Sequence, residues 1–175
     1  MTDSERCLET GYILNRINAV ILESKSNRVN QTEMDVLKSD DVTVDALNEI
    51  LNIAGCVTKV DQDGDIFVQE GLDFGVWVII DRDKKCLVFR TYMRCKQDAP
   101  RDELDAYVAS LNSKYYLAQF SYNTYENGQA FVNAHYFIFY NFGLIPRQVI
   151  FSLRTFAEVF IEAIKISDKD DKFFA

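Results

Sequence analysis

Hydrophobic positions along this chain change period several times, and each change marks a predicted element. From Thr43 onward, Leu47, Ile50, Leu51 and Ala54 recur at i, i+3, i+4 and i+7. That is the stripe of an amphipathic helix, with Thr43 placed to cap its first turn and Gly55 just past its last. The segments DIFVQE (65–70), DFGVWVIIDR (73–82) and CLVFRTYMRC (86–95) then switch to β-branched and aromatic residues in alternation, which predicts a meander of antiparallel strands. Arg82-Asp83-Lys84-Lys85 is the turn joining the last two. Past Pro100, Leu104, Tyr107, Val108 and Leu111 restore the helical period, and Pro suits a first helical turn because its missing N–H would be unbonded there. YYLAQFSYN and QAFVNAHYFIFY flank TYENG, where Asn127-Gly128 signals a two-residue type I′ hairpin turn. Pro146 opens a long final helix with a buried stripe of Val149, Leu153, Phe156, Ala157, Phe160 and Ile164. The order is α-βββ-α-ββ-α, an α+β class with an antiparallel sheet and helices packed on one face.

The two turns fix expected registers. Closing the first hairpin at 82–85 sets Val78 opposite Phe89 and Ile80 opposite Leu87 on a core face. It sets Trp77 opposite Arg90, and Asp73 opposite Arg94, on the other. Closing the second hairpin on Asn127-Gly128 sets His135 opposite Phe120. Phe120, Phe137 and Phe139 then share the core side, and Leu117, Tyr136, Ile138 and Tyr140 lie outside. Large residues therefore occupy both sides of the sheet, more than three helices can cover, and a homodimer is the expected cover for the surplus. The rival cover is the chain's own N-terminal segment.

The ends are less patterned. Residues 1–40 read as an N-terminal extension that is helical around Leu14, Ile17 and Ile21, followed by a polar linker. Residues 41–166 form the α+β domain, and 167–175, SDKDDKFFA, read as a charged flexible tail.

Composition adds bounds. The chain has 175 residues, 48% of them hydrophobic, and a formal net charge of −8. It is long enough to bury a core, and its acidity argues against nonspecific nucleic-acid binding. No apolar run approaches a membrane span and no leader-like start is evident, so no membrane partner and a cytoplasmic location are expected. Cys7, Cys56, Cys86 and Cys95 have no C-x-x-C spacing and are expected to be free thiols in a reducing compartment.

Two strings invite chemistry and fail on spacing. Asp61, Asp63 and Asp65 imitate the start of a calcium loop, but its glycine position is Ile66 and its terminal glutamate position is Leu72. Asp63-Gly64 reads instead as a tight turn. Asp73-Phe74-Gly75 lacks the glycine-rich loop, paired lysine and catalytic loop that a kinase needs. His135 is the only histidine, so one chain cannot assemble a multi-histidine metal site, and no cofactor is expected. Arg82, Lys84, Lys85, Arg90, Arg94, Lys96 and Arg101 cluster in an otherwise acidic chain. With Trp77, Ile79 and Tyr92, Arg90 and Arg94 make one strand face amphipathic. It is either a partner-binding surface or a solvated face carrying a cation–π contact.

DQDGDIFV leading into a meander, FRTYMRCK before a Pro-headed helix, LNSKYYLAQFSYN, and NGQAFVNAHYFIF before a terminal helix together resemble the YbjN-domain family of bacterial sensory transduction regulators, over about Thr43 to Ile166. That family is similar in fold to type III secretion chaperones, small acidic dimeric proteins that bind a segment of a client. The resemblance implies a nonenzymatic protein-binding or regulatory module with no catalytic residues to carry over. The rival is an enzyme whose carboxylate or cysteine site is assembled only by the fold.

Overall fold

A computed structural model describes residues 36–168 and 170–174. The predicted helix through Leu14, Ile17 and Ile21, and Cys7, lie outside the described residues. Helix α1 is Val44–Ile53. The Thr43 hydroxyl accepts from the Ala46 N–H at 3.2 Å, which satisfies one of the first-turn donors that have no helical partner. Gly55, at φ +83°, ends the helix with a left-handed residue.

The sheet has six antiparallel strands in the order β1-β2-β3-β4-β6-β5: β1 Val57–Val60, β2 Ile66–Glu70, β3 Val76–Asp81, β4 Cys86–Arg94, β5 Gln119–Thr124 and β6 Ala130–Phe139. The predicted alternation of helix, meander, helix, hairpin and helix is observed, and β1 lengthens the meander by one edge strand. VTKV is too short to declare itself by alternation, and it holds its place by pairing with β2. The aspartate string is the turn of that hairpin. One Asp61 carboxylate oxygen accepts from the backbone N–H of both Asp63 and Asp65 at 2.9 Å, and Gly64 supplies the positive φ.

Helix α2, Leu104–Lys114, follows a 3-10 turn at Arg101–Glu103. The Asn112 side chain then stitches it to edge strand β5, donating to the Phe120 carbonyl at 2.9 Å and accepting from the Phe120 N–H at 2.8 Å. Helix α3, Pro146–Ser167, lays its aromatic stripe on the sheet. Phe156 meets Phe89 at 6.2 Å between ring centres, and Phe160 meets Phe74 at 5.2 Å and Phe120 at 6.4 Å. Phe74 thus belongs to the core edge, ahead of β3. Ile66, Val68, Val76, Val78, Leu87 and Phe89 are wholly buried beneath the helices, and this one face holds the main apolar core.

Three expectations are corrected. The second hairpin pairs Thr124 with Ala130, so His135 lies opposite Gln119, not Phe120. Tyr125 and Gln129 bond outside a three-residue loop, with Gly128 at φ +78°. This is a longer connection than the type I′ turn, and one extra loop residue inverts the faces of β6 relative to β5. Tyr136 and Ile138 therefore join Phe120 on the core side, while Phe137 and Phe139 point the other way. The tail, expected to be flexible, is docked through 170–174. The buried Asp168 carboxylate accepts from the backbone N–H of Lys172 and Phe174, each at 2.8 Å, and from that of Phe173. Phe173 packs on Tyr107 at 4.3 Å. Its many charges concealed two aromatic anchors. Finally, Leu37, assigned to the N-terminal extension, is bridged to Leu144 by backbone bonds of 2.9 and 2.7 Å, so the folded domain begins before residue 41.

Candidate recognition face of the sheet

In an antiparallel sheet, paired residues share a face, so the registers lay out the side away from the helices row by row. The central row is Lys59, Phe67, Trp77, Arg90, His135 and Gln119, one residue from each strand. On one side of it lie Ile79, Val88 and Phe137, and on the other Tyr92 and Asn133. Arg94 and Phe131 follow. The sheet thus brings Trp77, Ile79, Arg90, Tyr92 and Arg94, read from sequence as one amphipathic face, onto a common surface. Trp77 and Ile79 are half-buried, and Arg90, Tyr92 and Arg94 are exposed.

Aromatic contacts give the face its relief. Phe67 lies 4.8 Å from Trp77 between ring centres. Its ring also covers Gly75, where an added Cβ would come within 2.7 Å of it. The glycine makes room for the ring, and the ring shields a strand position without a side chain. Tyr92 and Tyr125 meet Phe131 edge-on at 5.6 and 5.5 Å, and His135 stacks along Phe137 at 6.4 Å. Burial, followed by the nearby Arg90 charge, depresses the His135 pKa. The predicted Asp73–Arg94 pairing is not formed, because β3 starts only at Val76. Arg94 instead donates through Nε to the Gln129 side chain at 2.6 Å. Among the described residues the cation–π contact is Lys172 with Phe173, not one between Arg90 and Trp77.

Five members escaped the predicted surface: Phe67, Phe131, His135, Phe137 and Phe139. Alternation within DIFVQE would have placed Phe67 opposite Ile66, but no turn length was available to pair β2 with β3. The four on β6 were lost to the hairpin slip. Beyond Phe137 the face runs into an apolar end at Phe139, Phe142 and Ile145, of which Phe139 is 67% exposed and Phe142 fully so.

A depression of about 230 Å³ is lined by Gly71, Leu72, Asp73, Arg154 and Glu158. It brings two carboxylates, Asp73 and Glu158, beside Arg154, with no hydroxyl, thiol or imidazole, and Arg154 donates to the Ala54 carbonyl at 2.9 Å. Cys56, Cys86 and Cys95 are free and buried, and burial raises the pKa of each thiol. A thiol held protonated is a poor nucleophile. The described helices include none long and apolar enough to cross a membrane.

Comparison with known proteins rests on this architecture. No family model matches the chain and no curated protein does. Among solved structures, that of YbjN from E. coli, a proposed transcription regulator, superposes with a TM-score of 0.64 over 75% of this chain and 96% of its own, at 11% identity. The chain has a YbjN-like fold. The likeness extends to the arrangement of the elements, and at this identity it speaks for the fold alone. The resemblance read from DQDGDIFV onward therefore holds at the level of architecture.

Proposed function

We propose that this chain is a nonenzymatic protein-binding module with a regulatory or chaperone-like role, and that it recognises its partner on the open face of the sheet through Trp77, Ile79, Arg90, Tyr92 and Arg94. One observation carries the reading. Three helices crowd one side of the sheet, while the other presents aromatic and aliphatic residues on β2, β3, β4 and β6, between the polar edge residues Lys59 and Gln119, with no described helix over them. A surface of rigid aromatic anchors beside arginines has the composition of an interaction hot spot. The description of YbjN as a proposed transcription regulator suits a regulatory module. The free, buried cysteines suit work in a reducing cytoplasm.

Site-specific photocrosslinking tests it. Benzoylphenylalanine in place of Trp77 or Phe137 is expected to give discrete adducts with a protein partner, and the same group in place of Glu158, on the outer side of α3, is not. Equal labelling from all three positions would sink the proposal.

The exposed Phe139, Phe142 and Ile145 favour a second element of this reading, a homodimer closed through that apolar end. Light scattering at micromolar concentration is expected to give twice the chain mass; a mass of one chain that does not change on concentration removes the dimer.

A further inference from the structure

Arg90 occupies the middle of the open face. It is the central residue of β4, and β4 is one of the two central strands of the sheet. In a chain with 27 acidic and 19 basic residues, the charges in the interior of the strands on this side are nevertheless cationic, Lys59, Arg90 and Arg94. The carboxylates stay at its rim: Asp65 in the β1–β2 turn, and Asp81 at the end of β3, where Lys84 holds it at 2.9 Å. None of the three cations forms an ion pair with a described carboxylate. The face is thus apolar and aromatic with cations in its interior and carboxylates at its rim, and Arg90 is close enough to Asp65 to act on its charge.

That charge pattern selects among occupants. A two-fold copy laid over the centre would bring each Arg90 toward its mate, and like charges facing one another oppose such pairing. A polyanionic strand would find Arg90 and Arg94, but it would also meet the aspartates of the β1–β2 turn and the net negative field. A protein segment with carboxylates at two places and apolar side chains between them meets every group. Resting on the reading of this face as the docking surface, we infer that its occupant is an acidic amphipathic segment of a partner protein. Its carboxylates would meet Arg90 and Arg94, about 13 Å apart along the strand at the usual rise per residue. Its apolar side chains would lie on Trp77 and Phe67. Arginine suits this role because its planar fork takes a carboxylate bidentately.

The test uses the full chain and fluorescence anisotropy with three probes: a 16-residue peptide with Leu and Trp at i, i+3, i+4 and i+7 flanked by Glu, its isomer with Lys replacing Glu, and a single-stranded oligonucleotide. The Glu peptide is expected to bind saturably, at least tenfold more weakly to Arg90→Glu or Arg94→Glu, and the Lys isomer is expected to recover affinity on those variants. Circular dichroism confirms that the variants remain folded, and Arg90→Ala serves in place of any that does not. Failure of the Glu peptide to bind the wild-type chain, or binding unchanged by the arginine variants, overturns the inference. If Trp77→Ala still abolishes binding while the arginine variants do not, the docking face stands and its acidic occupant falls; if neither matters, both fall. An oligonucleotide that binds more tightly than the Glu peptide and is lost with Arg90→Glu replaces the peptide with nucleic acid.

Discussion

The two faces of the sheet are built from the same strands and nearly the same residue types, yet they have opposite fates. Val78 is wholly buried, and its neighbour Trp77, a larger apolar residue, is only partly covered. Phe120 is buried on the edge strand, whereas Phe139, on the strand beside it, is 67% exposed. Hydrophobicity does not separate these residues. What separates them is which side the stripe of α3 lies on, because Phe156 and Phe160 contact Phe89 and Phe120 and nothing comparable covers Trp77 among the described residues. The contrast teaches that strand composition supplies two candidate cores, and helix placement chooses one.

The sharpest way to break this contrast is a matched pair of charges. Val78→Asp should abolish the folded state, since an unpaired buried carboxylate costs more than about 4 kcal/mol. Phe139→Asp, on the other face, should lower the unfolding free energy by no more than about 1 kcal/mol. Equal losses in urea unfolding would mean that the faces are not distinct. Next in size, Asp168→Ala should destabilise by about 2–4 kcal/mol, because the tail's backbone donors lose a charged acceptor and Phe173 loses its anchor against Tyr107. A hydrogen-exchange profile in which 170–174 stay protected would contradict this. Gly128→Ala should cost about 1 kcal/mol, since a side chain is strained at its positive φ. A stabilised variant would show that the hairpin can close with a different loop.

The smallest expected effect is a pH dependence centred on the open face. His135 is held below its ordinary pKa, chiefly by burial and then by Arg90. As pH falls through the ordinary histidine range, the unfolded chain takes up this proton before the folded one does, so stability drops on acidification from neutral. His135→Gln should flatten that part of the curve. Urea midpoints at pH 7.5 and 5.5 that change equally in both proteins would remove His135 as the source. The carboxylates that titrate lower are common to both.

Much of the architecture was legible locally. Thr43 and Gly55 marked both ends of α1, the 82–85 turn gave the correct pairing of Trp77 with Arg90, and Pro146 announced α3. The candidate face was legible where that turn reached it, through Trp77, Ile79, Arg90, Tyr92 and Arg94. It was illegible on β6, where Asn127-Gly128 suits more than one loop length, and on β1, where four residues carry too little pattern.

Alternation along each strand is a local property, set by the pleat, so amino-acid order alone sets which residues travel together: Phe137 with Phe139, and Tyr136 with Ile138. It likewise determined the helices, whose caps and stripes lie within a few turns of one another. Long-range packing settles which set faces the core, because one more loop residue at 126–128 exchanges the two without altering either pattern. It alone joined Phe67, Arg90 and His135 into one row, since pairing between strands distant in sequence depends on register and on the packing of α3, and neither is written in any local segment. It also decided that Phe173 closes on Tyr107, where burial of two rings outweighs the solvation of the charged residues around them.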